Sequence, residues 1–181
     1  MRNKTSIVAI VFTALALLVP ASAMAGTIEV DVSENGLRFV FDDAPVDAAG
    51  FPAYGNSFVT EGYLYPKGTL NGSNGTLPDG SAEFPNLVIG TWTCSGWFVG
   101  DGWNTVSGPM VYTSQLFTFD ANASSVATNG FEYFDGTTAE RAIIGGSLAH
   151  KYARGNQSQD LLGMNVSGGV VLRVSLQGYG L

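Results

Sequence analysis

Glu61 carries the carboxylate best suited to proton chemistry in this sequence. It lies in the segment FVTEGYLYP, where the alternation of a strand puts Val59, Tyr63 and Tyr65 on its face. If that face lines a cavity, the apolar walls favour the protonated acid, and the phenol hydroxyls hydrogen-bond to it. Glu61 would then act as a general acid or stabilise a developing cation, with Tyr63 and Tyr65 lining the ligand site. The alternative is that Glu61 faces solvent.

Three further carboxylates lie in strand-like segments, and for these we expect solvent exposure. Glu132 lies between aromatic residues in NGFEYF, and Glu29 and Asp31 share one face of the first strand-like segment. Acidic side chains are rarely buried without a partner, so the ordinary expectation is contact with water. These three acids are therefore given no chemical role.

The remaining nucleophiles and metal ligands are too few to form a site. The chain has one histidine, His150, and one cysteine, Cys94, far apart in the sequence. A catalytic triad or a zinc site needs several such residues together. We therefore predict no metal and no cofactor, an inert core thiol at Cys94, and no internal disulfide.

The N-terminus has the pattern of a secretory signal peptide. Two basic residues precede an apolar run at 7–19, and the segment PASAMA then supplies small residues for cleavage. We expect cleavage after Ala25, with Ala23 as the alternative, so that residues 1–25 are a signal peptide and residues 26–181 form one domain. The product would be secreted or periplasmic. No later run is long and apolar enough to predict a membrane span in the mature chain.

The charge balance of the mature chain excludes two classes of partner. Without its leader the chain keeps six basic residues against 15 acidic ones, a net charge of −9. Nucleic acids and anionic membrane surfaces both select for clustered Lys and Arg, so neither is an expected partner. All 24 glycines lie in the mature part, about twice the usual ~7% share, which favours tight strands and turns over helices.

Short β-branched and aromatic runs between turn signals predict an all-β barrel or sandwich. The predicted strands are Ile28–Val32, Leu37–Asp42, Phe58–Tyr65, Leu87–Val99, Met110–Phe119, Val126–Phe134, Arg141–Ile144, Arg154–Leu162 and Val170–Leu176. Two long connections, at 43–57 and 66–85, are either surface excursions or lids, and surface excursions are favoured.

The segment LVIGTWTCSGWFVGDG has large side chains on both faces of its strand. Trp92, Cys94 and Phe98 share one face, and Trp97 lies on the other. One face should fill the barrel, and on that face Trp92 and Phe98 are candidate ligand-lining residues. The second face would leave an apolar patch in water, so we expect it to meet a neighbouring subunit.

Four ordered motifs resemble the allene oxide cyclase-like barrels, the group that includes plant dirigent proteins. They are IGTWTCSGWFV, QLFTFDANASSVATNGFEYF, RAIIGGSLAHKYARGNQSQ and GMNVSGGVVLRVSLQG, which together cover about half of the mature chain. The glycine pair in the third motif is the most specific feature, because it permits a sharp corner between two barrel strands. One departure is Leu148, where the family commonly has glycine.

The resemblance implies a single eight-stranded antiparallel β-barrel, often trimeric, that encloses an apolar cavity. It suggests an exported member of bacterial type that acts as an isomerase, a cyclase or a dirigent-like stereochemical guide for an apolar small molecule. Such catalysis depends largely on confinement of the substrate with water excluded. Two alternatives stay open: a non-catalytic binding or carrier barrel, and a structural, envelope-associated protein. An acid in an open cavity would favour the enzyme, and a barrel filled by its own side chains would favour the structural role.

Overall fold

A computed structural model describes residues 25–181, so the predicted signal peptide lies outside the described residues except for Ala25, which begins the first strand. The described chain contains nine strands, four short 3₁₀ turns and no α-helix. The strands are β1 (Ala25–Glu34), β2 (Val40–Phe41), β3 (Ser57–Pro66), β4 (Gly90–Phe98), β5 (Pro109–Phe119), β6 (Ser124–Tyr133), β7 (Ala139–Gly146), β8 (Arg154–Met164) and β9 (Val170–Tyr179). Within this part of the chain, no helix has the length and apolar character needed to cross a membrane.

Eight of these strands form a closed antiparallel barrel. Consecutive strands pair from β3 to β9, and β1 closes the ring because it pairs with β9 on one side and β3 on the other. The predicted fold class is therefore confirmed. β2 only adds a short ribbon beside β3, so the predicted strand Leu37–Asp42 was too long. Its first half is a 3₁₀ turn at Gly36–Arg38, which forms because the Asn35 side chain accepts a hydrogen bond from the backbone N–H of Leu37 at 3.0 Å.

The alternation in β4 shows how the sequence specifies the barrel wall. Trp92, Cys94 and Phe98 point inward and are buried, whereas Trp97 points outward and is 54% exposed. Gly96 keeps the wall closely packed, because a Cβ atom there would lie 2.2 Å from the carbonyl oxygen of Tyr112 on β5. The predicted alternation of this strand is confirmed, and contact of its outer face with a neighbouring subunit stays a prediction.

One end of the barrel is closed by apolar side chains. Phe117, Val126, Ile143 and Leu176 fill the interior there, and Ala153 is fully buried beside them. The β7–β8 turn with the glycine pair belongs to this end. A Cβ atom at Gly146 would lie 2.4 Å from two carbonyl oxygens, so the turn needs glycine for a close approach of backbones.

The connection between β3 and β4, residues 67–89, packs on the outer wall of the barrel. Tyr65, Leu70 and Val171 form a small outer core under this segment. Asp31 holds the segment, because its Oδ2 accepts hydrogen bonds from the backbone N–H groups of Gly68 at 2.8 Å and Leu70 at 2.9 Å. The segment is therefore an ordered surface excursion.

Asp31 also pairs with Arg173, whose Nε lies 3.0 Å from Oδ1. The side chain of Asp31 is fully buried, so the expectation that it faces solvent was wrong. Glu29, two residues earlier, is exposed as expected and pairs with Lys67. The two acids share a face of β1, but only Asp31 is covered by the outer segment.

Candidate functional site

An open cavity lies in the barrel interior, at the end opposite the glycine-pair turn. Its volume is about 50 Å³, and two buried carboxylates, Glu34 and Glu132, line it. Glu34 is the last residue of β1, and Glu132 lies near the end of β6. The cavity is therefore a small acid-lined space at the open end of the barrel.

A group of aromatic side chains surrounds the opening, and we call it the aromatic mouth: Phe39, Phe58, Phe98, Trp103 and Phe134. Phe58 packs against Phe39 and Phe98 with ring centroids 5.2 and 5.3 Å apart. Trp103 stacks on Phe51 at 5.8 Å and is 40% exposed. The mouth is thus apolar but open to solvent on one side.

The loop 99–108 positions Trp103 through two glycines. Gly100 and Gly102 have φ values of +57° and +64°, in the left-handed region that glycine adopts readily at a turn. A Cβ atom at Gly102 would lie 2.5 Å from the carbonyl oxygen of Pro52, and the backbone N–H of Trp103 donates to that same oxygen at 2.8 Å. The close contact between the two loops fixes the indole at the mouth.

Glu34 has two hydrogen-bond donors and no cationic partner among residues 25–181. Its Oε1 accepts from the Thr60 hydroxyl at 2.6 Å, and its Oε2 accepts from the backbone N–H of Val170 at 2.7 Å. Burial raises the pKa of Glu34, and the negative charge of Glu132 adds to the shift. The sequence interpretation missed Glu34, although it has the same parity as the inward-facing Val30 and Val32 on β1.

Glu132 is buried against Arg141, so the expectation that it faces solvent was wrong. Nη1 of Arg141 lies 3.3 Å from Oε1 of Glu132, and both side chains are enclosed by the barrel wall. Arg141 also donates to the backbone oxygens of Thr113 at 3.0 Å and Gly130 at 3.1 Å. The guanidinium compensates the charge of Glu132.

A chain of buried glutamines orients the carboxylate of Glu132 through hydrogen bonds. Gln115 donates to Oε1 at 3.1 Å, and Gln159 donates to Oε2 at 2.8 Å. Gln157 donates in turn to the side-chain oxygens of Gln115 and Gln159, each at 2.9 Å. Oε1 also accepts from the hydroxyl of Thr113, so it is crowded with donors, whereas Oε2 has only Gln159. Oε2 is the oxygen with free capacity for a ligand.

Two further polar atoms face this region. Cys94 is buried and lies 3.7 Å from Oε1 of Glu132, and burial raises the pKa of its thiol well above the usual value. The thiol is therefore protonated and inert, as expected. The indole Nε1 of Trp92 is buried and has no hydrogen-bond partner in the described residues. Such an unpaired donor is costly in a folded protein.

Glu61 lies outside the barrel. Its side chain is 51% exposed and accepts a hydrogen bond from Arg38 at 2.9 Å. Both residues line a polar groove of about 520 Å³ on the outer wall, together with Tyr63. The condition behind the general-acid role, that this face lines the cavity, is not met. Tyr65 is buried under the outer segment, where its hydroxyl donates to Gly75 at 2.6 Å and burial raises its pKa to about 12.

The predicted site residues are thus divided between two places. Trp92 and Phe98 face the interior cavity with Glu34 and Glu132, whereas Glu61, Tyr63 and Tyr65 lie on the outer face of β3. No group of three or more histidine, cysteine or acidic side chains within residues 25–181 is arranged to hold a metal ion.

The architecture matches solved barrel structures. A pterocarpan synthase dirigent protein superposes with a TM-score of 0.62 at 12% identity, over 86% of this chain and 95% of its own. The chain has the fold of the dirigent-type barrels. A second pterocarpan synthase dirigent protein gives 0.60 at 12% identity over 86% of both chains. A pyocyanin demethylase gives 0.54 at 14% identity, over 82% of this chain and 98% of its own.

These identities show the fold alone. No protein-family model matches the sequence, and no curated protein matches it. The resemblance noted in the sequence motifs is thus supported at the level of the barrel, by the dirigent-type structures.

Proposed function

We propose that this chain is an exported barrel that takes part of an apolar small molecule into its open end and guides its isomerisation or cyclisation. The observation that carries the proposal is that Glu34 and Glu132 line the same cavity behind the aromatic mouth. Buried carboxyl groups behind apolar walls are a common arrangement for proton chemistry. The dirigent proteins and the demethylase with this fold are named for small-molecule chemistry, which supports the choice.

The two acids would have different tasks. Glu132 is oriented by Gln159 and charge-compensated by Arg141, so its Oε2 would take a proton from one substrate atom and return it to another. Such a transfer needs no co-reactant, because the substrate has the same atoms before and after. Glu34 has no positive partner within residues 25–181, so it would stabilise positive charge that develops in the intermediate.

The aromatic mouth would supply confinement. The enclosed space of about 50 Å³ is far below the roughly 300–1,000 Å³ of ordinary small-molecule pockets, so only a small group enters it. The rest of the ligand would lie between the rings of Phe39, Phe58 and Trp103. Holding a flexible molecule in this way favours one geometry of attack.

A non-catalytic binding barrel is the second candidate. The aromatic mouth favours it, because apolar rings around a small enclosed volume can hold an apolar group without any proton transfer. The same mouth would then hold an apolar compound without reaction. The two candidates share a binding site, and they differ only in whether Glu132 transfers a proton.

Binding of N-phenyl-1-naphthylamine, a neutral fluorescent apolar probe, tests the shared site. We expect Trp103→Ala to weaken probe binding, because it removes a ring of the mouth. Trp97→Ala is the matched control, since this indole lies on the outer wall. A loss of binding in Trp97→Ala alone would move the site to the outer wall and contradict the proposal.

Native mass spectrometry of protein purified from its own host then separates enzyme from carrier. A co-purifying small molecule would be incubated with wild type and with Glu132→Gln, which keeps the shape and removes the charge. Conversion by wild type and not by the variant, with binding kept in both, supports catalysis. Binding without conversion in both supports the carrier.

Export and self-association are part of the proposal. Export rests on the N-terminal pattern, and a mature N-terminus at Gly26 or Met24 in host protein is the expected mass-spectrometric result. The homotrimer rests on the family resemblance and on an exposed outer row, in which Trp97 pairs with Tyr112 and Tyr112 with Phe131. Light scattering should give three times the monomer mass at micromolar concentration, and Trp97→Asp should lower it.

A further inference from the structure

The charges inside the barrel do not balance. Among residues 25–181, the buried charged side chains of the inner wall are Glu34, Glu132 and Arg141. Arg141 pairs with Glu132, and Glu34 has only the neutral donors Thr60 and Val170. An ionised carboxylate in such a place needs a positive partner, because burial without one is costly.

We propose that the cavity selects an organic cation, whose charged head group lies beside Glu34 and whose body lies in the aromatic mouth. This inference rests on the proposed function and names its ligand class. The mouth has the chemistry for it, since the ring centroid of Phe58 lies 5.2 Å from that of Phe39 and 5.3 Å from that of Phe98. Ring faces attract ammonium groups, most strongly where water is excluded.

The size of the enclosed space fits a head group better than a whole ligand. About 50 Å³ admits a few heavy atoms, such as a methylated ammonium group, and no aromatic ring system. Trp103, which is 40% exposed at the rim, leaves room for a larger apolar body outside the enclosed part. The geometry therefore separates a charged end from an apolar end.

The unpaired indole of Trp92 adds a second requirement. Its Nε1–H is buried, lacks an acceptor within the described residues, and belongs to a side chain that lines the same cavity. A ligand oxygen would satisfy this donor. The ligand class is thus an organic cation that also carries an oxygen acceptor.

Two isosteric probes test the inference on the wild-type protein. (3-Hydroxyphenyl)trimethylammonium and 3-tert-butylphenol have the same shape and hydroxyl group, and they differ in charge. By isothermal titration at neutral pH, we expect the cation to bind at least about tenfold more tightly. Equal affinities would overturn the cation preference and leave the proposed apolar site intact. If neither probe binds, the cavity is not the ligand site, and the proposed function fails as well.

Two variants locate the effect. Glu34→Gln should bring the affinity of the cation close to that of the neutral probe, because it removes the uncompensated charge. Glu29→Gln is the control, since this acid lies on the same strand but is exposed and pairs with Lys67. A cation preference that survives in Glu34→Gln, or is lost in Glu29→Gln, would overturn the assignment to Glu34.

Discussion

Glu132 and Arg141 form an ion pair inside the barrel, with 3.3 Å between Oε1 and Nη1. The pair links the neighbouring strands β6 and β7 on the inner wall, and Arg141 also donates to the backbone oxygens of Thr113 on β5 and Gly130 on β6. Each charge is buried only because the other is present. The pair is therefore a structural requirement of the site as well as a part of its chemistry.

Removal of Arg141 should destabilise the fold strongly. Arg141→Met keeps much of the side-chain volume but leaves Glu132 as an uncompensated buried charge, and we expect a loss of about 3–5 kcal/mol in the free energy of unfolding. Urea denaturation measures it. Arg154→Met, at an exposed position of β8, is the control and should change stability by less than about 0.5 kcal/mol.

A second substitution should recover part of this loss. In Arg141→Met combined with Glu132→Gln, no buried charge is left unpaired, so the double variant should be more stable than Arg141→Met alone. A double variant that loses the full sum of both single effects would contradict the charge explanation. It would instead point to lost packing around the guanidinium.

Glu34 should make the stability depend on pH. Its pKa in the folded protein is raised above the ordinary value of 4.5, so the folded state holds its proton more tightly than the unfolded state does. The stability from Glu34 is therefore complete below about pH 4.5 and is lost as pH rises through the raised folded pKa. The titratable groups that act on it or respond to it are Glu132 and Cys94, and they are unchanged in the variant.

Urea midpoints between pH 4 and pH 8 measure this dependence. As pH rises, the urea midpoint of wild type should fall relative to that of Glu34→Gln. The urea midpoint of Glu29→Gln should show the same pH dependence as that of wild type. A difference that is flat across this range would show that Glu34 titrates alike in both states.

Asp31 should control the outer segment 67–89. In Asp31→Asn the carboxylate that accepts from Gly68 and Leu70 is lost, together with the ion pair to Arg173, and we expect a cost of about 2–3 kcal/mol. Hydrogen exchange of the amides of Gly68 and Leu70 should become faster. Asp79→Asn, at an exposed turn of the same segment, should leave both amides protected. Unchanged protection in Asp31→Asn would contradict the tether.

The barrel itself could be predicted from the sequence because each strand is marked locally. Glycines at tight turns and alternating residues on β4 indicate both the ends and the faces of the strands, and the inward position of Trp92 follows from that alternation. The strand pairs that close the barrel depend on contacts far apart in the chain. The family resemblance supplied that part.

The acids of the site could not be assigned in the same way. On β3 the outward face carries Glu61, Tyr63 and Tyr65, and it looks like a core face because the segment 67–89 covers both tyrosines from outside. The inward face contains Thr60 and Gly62, which look like surface residues. The outer segment, which follows β3 directly in the chain, therefore gives the outer face of this strand the pattern of a core face. The burial of Glu132 likewise depends on Arg141, and the contact between these two residues forms only in the tertiary structure.

Leu148 should be a point of stored backbone strain. It has a φ of +48°, in the left-handed region that non-glycine residues avoid, and its side chain is 62% exposed, so little packing offsets the cost. This is also the position where the resembling family commonly has glycine. Leu148→Gly removes about 1–2 kcal/mol of strain, and the added freedom of the unfolded chain costs about 0.4–1 kcal/mol, so a net gain of roughly 0.5–1 kcal/mol is expected. Leu148→Ala is the control, because it removes the same exposed side chain and keeps the strain. In thermal unfolding, the melting temperature of the glycine variant should exceed that of the alanine variant by about 2–4 °C. If Leu148→Ala is as stable as Leu148→Gly, the left-handed backbone at this turn carries no strain that glycine relieves.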